Sequence, residues 1–188
     1  MRRHEEAIIE VRRARDLDPL SLVLNAFLGL MLIMVRQYDP AVDASRKAIE
    51  LEPHNPFGHW ILARCLDARG ELRQALEEAE LAAKFSGGSL PFSAHLGYAN
   101  ARIGDRVKAC EVRDRLKELS ETTYVSPYHF ALICTGLGEK DSAFEWLERA
   151  FDERTTRLPS ELQCDPAFDG LRADPRFSDL VERIGLPA

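Results

Sequence analysis

Small apolar residues recur along this chain at a fixed step of 34 positions. A single matched pair would mean little, but nine alanines in register indicate a repeated structural unit. The first series is Ala7, Ala41, Ala75, Ala109 and Ala143. The second is Ala14, Ala48, Ala82 and Ala150, and only Leu116 interrupts it.

Within each unit the apolar spacing is helical, as in Ala75, Ala79 and Ala82, and no period-two run suggests a sheet. A large residue followed by a small one also recurs at constant phase. Because a bulky side chain on one helix fills the space that a small residue opens, this pattern predicts closely packed helix pairs. These doublets are Leu28-Gly29, Leu62-Ala63, Leu96-Gly97 and Phe130-Ala131.

Turn residues keep the same step. Gly70, Gly104 and Gly138 recur between helical patterns, with Arg36 in the equivalent place, where a tight turn favours a left-handed residue. Pro19 and Pro53 mark the ends of two repeats and Gly87 that of a third. The phase predicts a lone helix at residues 4–17, then hairpins at about 20–52, 55–86, 89–120 and 124–154.

With these residues recurring every 34 positions, the chain resembles the tetratricopeptide repeat (TPR) family, whose 34-residue unit is a pair of antiparallel helices. The resemblance covers roughly residues 1–155 and implies an all-α, right-handed solenoid, or superhelix, of antiparallel hairpins. It comprises a half repeat at 1–19 and repeats at about 20–53, 54–87, 88–121 and 122–155. The family's aromatic near the start of each first helix is replaced here by Asn25, His59, Ser93 and Pro127, although Trp60 and Tyr128 follow one residue later.

The remaining segment, 156–188, contains two similar openings, Asp165-Pro166-Ala167-Phe168 and Asp174-Pro175-Arg176-Phe177. Asp can cap a helix and Pro can start one, so we expect capping helices that close the last apolar surface. The second helix should end at about Ile184, before Gly185. Residues 124–151 with this tail are also similar to the C-terminal repeats of bacterial multidomain signalling proteins. That similarity implies an alternative role as a regulatory or sensor portion.

The family resemblance implies a concave groove lined by the first helix of each pair, suited to a peptide or helix of a partner protein. Aromatic and arginine side chains are typical anchors of such interfaces. Trp60 and Tyr128 have an alternative role, packing between helices. The predicted groove residues are Phe57, Trp60, Arg64, Asp67, His95, Tyr98, Arg102, Tyr128 and His129.

Catalytic and cofactor motifs are missing from the sequence: there is no HExxH, nucleophile elbow, phosphate loop or dinucleotide fingerprint. We therefore expect a non-enzymatic interaction scaffold without a cofactor or metal. The rival hypothesis is a metal protein or enzyme that uses His95 and His129, which lie 34 residues apart on equivalent faces of first helices.

The composition of the chain bears on three questions: nucleic-acid binding, membrane insertion and cellular location. A formal net charge of −6 argues against broad binding of nucleic acid, which requires clustered cations. Leu20–Val35 is the most apolar stretch, but it is shorter than the roughly 18 residues of a membrane span and is interpreted as a buried helix. The four cysteines form no CxxC pair and fit a reducing, cytoplasmic location: Cys65, Cys110, Cys134 and Cys164.

The N-terminal helix lacks the first helix of its own repeat. Ile8, Ile9 and Val11 would then leave an exposed apolar patch of the kind that marks an interface. Two explanations fit: the chain forms a homodimer through this end, or it is part of a longer parent protein.

Overall fold

The computed structural model describes residues 2–155 and 161–185, and the regular elements in those ranges are all helical. The predicted all-α class is therefore confirmed. The helices are α1 (Arg2–Leu17), α2 (Leu22–Met34), α3 (Tyr38–Leu51), α4 (Pro56–Arg69), α5 (Leu72–Phe85), α6 (Leu90–Arg102), α7 (Arg106–Leu119), α8 (Pro127–Leu137), α9 (Lys140–Asp152) and α10 (Pro175–Ile184), with a 3-10 helix (Pro166–Leu171) before α10.

Consecutive helices pair as hairpins within two compact units. The first unit extends to Phe92 and the second begins at Ser93, so the division lies inside α6. In the first unit α2 packs against α3 and α4 against α5, and α1 and α3 pack against the helices that follow them. In the second unit α8 packs against α9, α7 and the 3-10 helix, and α10 packs against α9.

The two helices of a hairpin differ in how they are buried. The first helices α4 and α8 are enclosed on all sides over the runs 58–66 and 127–134. The second helix α5 instead buries a narrow stripe of alanines, Ala75, Ala79 and Ala82. Small side chains let the helix axes approach closely, so the repeated alanines do what their spacing predicts.

Gly29 in α2 shows how close that approach is. A Cβ atom at this position would collide with Ser45 Oγ and lie 3.1 Å from the carbonyl oxygen of Ala41, both on α3. Only a glycine fits this contact without moving α3, which explains the large-small doublet at Leu28-Gly29.

The hairpin turns use the left-handed conformation that the glycine series predicts. Gly70, Gly104 and Gly138 have φ angles of 84°, 88° and 75°, and Arg36 adopts the same conformation at 65°. An arginine in this region carries a steric cost that glycine avoids. Arg36 Nη1 donates a hydrogen bond of 3.1 Å to the Tyr38 hydroxyl within this turn.

The two Asp-Pro openings of the tail both act as N-caps. Asp165 Oδ1 accepts a hydrogen bond from the backbone N–H of Ala167, and Asp174 Oδ1 accepts one from Arg176. The first opening starts a 3-10 helix and the second starts α10. As expected, α10 ends at Ile184, and Gly185 closes it with a φ of 77°.

The tail supplies much of the second unit's core. Phe168, Leu171, Phe177 and Leu180 are buried together with residues of α8 and α9. In the first unit the core joins α1 to α5, and the apolar α2 is an internal part of it. Among the described residues, no helix combines the length and apolarity needed to cross a membrane.

Candidate functional site

The predicted groove residues of the first unit lie on α4 and stack on one another. The Trp60 ring lies 5.7 Å from Phe57 and 5.9 Å from Phe92, and the Arg64 guanidinium lies 4.8 Å from the Trp60 ring centroid. Trp60 is only 5% exposed, whereas Phe57 and Asp67 are half-buried. Arg64 is likewise buried, at 6% exposure, so this face of α4 presents the half-buried Phe57 and Asp67 to solvent.

The predicted groove residues of the second unit are more deeply placed. His95 and Tyr98 are buried with their rings 5.6 Å apart. Tyr98 packs against Gly136 of α8, where an added Cβ would lie 2.9 Å from the tyrosine ring. His129 is also buried, and Arg102 is the exposed member of this set.

Tyr128 packs against the C-terminal tail. Its ring meets Phe168 edge-on at 5.5 Å, its hydroxyl donates to Glu161 Oε2 at 3.4 Å, and the residue is 1% exposed. Trp60, 68 positions earlier at the same phase, meets Phe92 edge-on in the first unit. Trp60 and Tyr128 thus both pack between helices, the alternative role considered for them.

Two residues that depart from the family pattern are buried and make polar contacts. Asn25 Nδ2 donates to the carbonyl oxygen of Pro19 at 3.2 Å, and His59 Nε2 lies 2.8 Å from the carbonyl oxygen of Pro53. The two pairs are equivalent positions of consecutive repeats. They tie the start of each first helix to the proline that ends the preceding repeat.

His59 also reaches the second helix of its hairpin. Its Nδ1 lies 2.6 Å from Glu78 Oε2 of α5, and both side chains are shielded from solvent. The imidazole therefore has an oxygen beside each ring nitrogen. Sequence reasoning missed this contact, although the spacing of 19 residues between two polar positions of one hairpin could have suggested it.

A second feature that the sequence did not reveal is a surface depression in the second unit. It encloses about 510 Å³. The Tyr124 hydroxyl donates to Glu153 Oε2 at 3.1 Å, and Arg149 Nε donates to Glu153 Oε1 at 2.9 Å. Burial and the neighbouring carboxylate of Glu153 raise the pKa of Tyr124. The lining residues are Ser120, Thr123, Tyr124, Val125, Arg149 and Glu153.

The first unit exposes apolar side chains at its N-terminal end. Phe27 of α2 is 41% exposed, whereas Ile61, its equivalent one repeat later, is fully buried. Ile9 and Val23 are exposed as well, while Ile8 belongs to the core and Val11 is half-buried. We call Val23 and Phe27, which lie one turn apart on α2, the N-terminal apolar face.

The small-residue stripe of α1 is correspondingly less covered than that of α3. Its members are only half-buried, whereas their equivalents on α3 are completely buried. The uncovered set is Ala7, Val11 and Ala14, and the enclosed set is Ala41, Ser45 and Ala48.

Potential metal ligands are dispersed. Within residues 2–155 and 161–185, no group of three or more His, Cys, Asp or Glu side chains is placed to hold a metal ion, and this includes the surroundings of His95 and His129. The four cysteines are not joined by disulfide bonds in this structure.

Solved structures resemble the whole chain. TTC0263, a TPR protein of Thermus thermophilus, superposes with a TM-score of 0.66 at 17% identity, covering 96% of this chain and 91% of that one. The fold is that of TPR proteins. PilW, a type IV pilus biogenesis factor, superposes on this TPR fold with a TM-score of 0.61 at 13% identity, covering 96% and 84% of the two chains.

A third TPR structure, YrrB, is described as having an unusual peptide-binding site. It superposes with a TM-score of 0.53 at 14% identity, covering 93% of this chain and 90% of that one. No sequence family matches the chain, and no curated protein matches it. At these identities the likeness concerns the fold alone.

Proposed function

We propose that this chain is an interaction scaffold that binds an amphipathic helix or extended segment of a partner protein on the first helices of its hairpins. The observation that carries the proposal is the stack of Phe57, Trp60 and Arg64 on α4. Phe57 and Asp67 are half-buried at the surface of α4, whereas Trp60, on which Phe57 packs, and Arg64 are buried at 5% and 6% exposure.

Phe57 suits recognition because its ring already packs against the buried Trp60 ring. Aromatic and arginine side chains dominate binding energies, and binding costs less entropy when the contacting side chains are already ordered. The half-buried Phe57 ring therefore needs little rearrangement to contact a ligand. In the second unit, the exposed Arg102 on α6 is the corresponding candidate anchor.

Peptide selection tests the scaffold proposal. Peptides selected from a random library against the wild-type chain should lose at least tenfold in affinity with Phe57→Ala when they bind the first unit, and with Arg102→Ala when they bind the second. The loss is about 1.4 kcal/mol for the anchor that each peptide uses. Val107→Ala, an exposed apolar change on the second helix α7, is the matched control and should leave binding intact. Equal binding by all three variants, with wild-type circular dichroism, would reject these first-helix anchors.

We also propose that the N-terminal apolar face is a contact between two copies of the chain. It is supported by the exposure of Phe27 at a position that the next repeat encloses. Apolar surface removed from water is the main driving force of such contacts. Sedimentation of the wild type should show a dimer that Phe27→Asp dissociates and Val107→Asp does not. A monomer across micromolar concentrations would contradict it.

The second candidate function is a regulatory portion of a signalling protein, favoured by the similarity of residues 124–151 and the tail to such proteins. We propose a reducing, cytoplasmic setting for either role, since the four cysteines form no CxxC pair in the sequence. A pull-down with isolated winged-helix, kinase or cyclase domains as bait would test it. Failure of every bait to retain the chain above background would count against this role.

A further inference from the structure

Cys110 on α7 and Cys134 on α8 lie at matching positions along the two helix axes. Arg106, at the start of α7, donates through Nη1 to the carbonyl oxygen of Leu137 at the end of α8, at 2.8 Å, so the two helices run antiparallel. One turn forward from Arg106 is Cys110, and one turn back from Leu137 is Cys134. Helix geometry therefore places the two thiols opposite each other across this pair.

One guanidinium lies beside the Cys110 thiol and acts on the Cys134 thiol as well. Arg113 Nη2 lies 3.5 Å from Cys110 Sγ, and the positive charge of Arg113 opposes the rise in the pKa of Cys134. Its Nη1 donates to Glu139 Oε2 at 2.9 Å, which holds the guanidinium in place. Burial opposes the charge of Arg113, yet the neighbouring Cys110 and Glu139 raise its pKa above the ordinary value.

The two thiols differ in access to solvent. Cys110 is partly exposed, whereas Cys134 is 1% exposed, and burial together with Glu139 raises the pKa of Cys134. Reactive cysteines are typically those in partly exposed, electropositive surroundings. Cys65 provides a contrast, because it is completely enclosed and burial raises its pKa to about 12.

We propose that Cys110 and Cys134 form an oxidisable thiol pair that hydrogen peroxide joins into a disulfide between α7 and α8. The Cys110 thiol loses its proton and its sulfur attacks one peroxide oxygen. The O–O bond breaks, and the departing hydroxide takes up that proton and leaves as water, which produces a sulfenic acid. The Cys134 sulfur then attacks the Cys110 sulfur, the S–O bond breaks, and the second hydroxide takes up the Cys134 thiol proton and leaves as water. Two thiols and one peroxide give one disulfide and two waters.

Arg113 assists the first step by its position. Negative charge develops on the departing hydroxide, and a cation already fixed beside the sulfur stabilises that charge without reorganising. The site is independent of the proposed ligand surfaces, since it lies between a second helix and the following first helix. Oxidation would add a covalent link between two consecutive hairpins.

Peptide mapping of the intact chain tests the pair directly. Wild-type protein treated with hydrogen peroxide and digested without reductant should contain the Cys110–Cys134 disulfide as its first oxidation product, while Cys65 and Cys164 remain reduced. Dithiothreitol should restore both thiols. Oxidation of Cys164 ahead of Cys110, or oxidation of Cys110 in the wild type without linkage to Cys134, would overturn the proposal.

Variants separate the two chemical steps. Cys134→Ser should stop at a Cys110 sulfenic acid that dimedone traps, whereas Cys110→Ser should leave Cys134 unmodified. Arg113→Gln should slow the oxidation of Cys110 several-fold while Arg113→Lys retains part of the rate, each variant being checked by circular dichroism. An unchanged rate in Arg113→Gln would remove the assisting role of the guanidinium.

Discussion

Buried polar side chains near the beginning of the first helices have a structural role in this chain. Asn25 and His59 each bond to the carbonyl oxygen of the proline that ends the previous repeat. His59 has a second partner in Glu78, so one imidazole connects a turn, α4 and α5. Because buried polar groups are costly without partners, these residues make the hairpin geometry specific.

Replacing Glu78 by alanine tests this connection. The change leaves His59 Nδ1 buried beside an apolar gap, and we expect the free energy of unfolding in urea to fall by about 1–3 kcal/mol. Glu77→Ala makes the same change at the adjacent, exposed position of α5 and should be nearly neutral. Similar losses in both variants would show that the contact with His59 contributes nothing.

The hydrogen-bond partners of these polar residues could not be predicted from the sequence. Asn25 and His59 were recognisable as departures from the family pattern, but their partners were not. The acceptors are backbone carbonyls, which every residue possesses, and only the turn geometry selects Pro19 and Pro53. Trp60 and Tyr128 posed the same difficulty, since a shifted aromatic can face either a groove or a neighbouring helix.

At the scale of helices and hairpins, the tightest constraint is the approach of α2 to α3 at Gly29. Gly29→Ala gains helix propensity but forces a Cβ against Ser45 Oγ, so we expect a net loss of about 1–3 kcal/mol in unfolding free energy. Gly170→Ala, where a Cβ would meet nothing within 4 Å, is the control and should change little. Chemical denaturation gives both values.

A second substitution identifies the colliding atom. Ser45→Ala removes the hydroxyl that the new Cβ would meet, so it should recover part of the loss when combined with Gly29→Ala. Strict additivity of the two changes would place the cause of the Gly29→Ala effect elsewhere.

Helix positions were largely predictable because the period of 34 fixes the phase of every element at once. The predicted hairpin at about 20–52 corresponds to α2 and α3, and the one at 124–154 to α8 and α9. The tail was less predictable. Both Asp-Pro openings cap as expected, but the first continues as a 3-10 helix because capping residues specify a beginning and not the winding that follows.

For the whole molecule, the main asymmetry is between the ends of the array. In the second unit the tail covers the last hairpin with Phe168 and Phe177, whereas the first unit leaves Phe27 exposed beside α1. The 34-residue period identifies Ile61 as the equivalent of Phe27, and Ile61 is fully buried in the next repeat. The period describes contacts between repeats of this chain and so does not predict a partner for the exposed Phe27.

The dimer proposal makes a thermodynamic prediction for the intact chain. Association through the N-terminal apolar face stabilises the folded state by mass action, so the Tm of the wild type should rise with protein concentration. The Tm of Phe27→Asp should be independent of concentration. A wild-type Tm that does not move over a hundredfold range of concentration would argue against a native-state dimer.

Replacing Arg36 is a way to raise the thermal stability of the protein. Arg36 holds the left-handed turn between α2 and α3 that glycine occupies at the three equivalent junctions. Exchanging it for glycine would relieve a conformational cost of about 1–2 kcal/mol, at the expense of the hydrogen bond to Tyr38. The substitution lies outside the core, so the repeat itself shows where tolerance to heat can be improved without redesigning the interior.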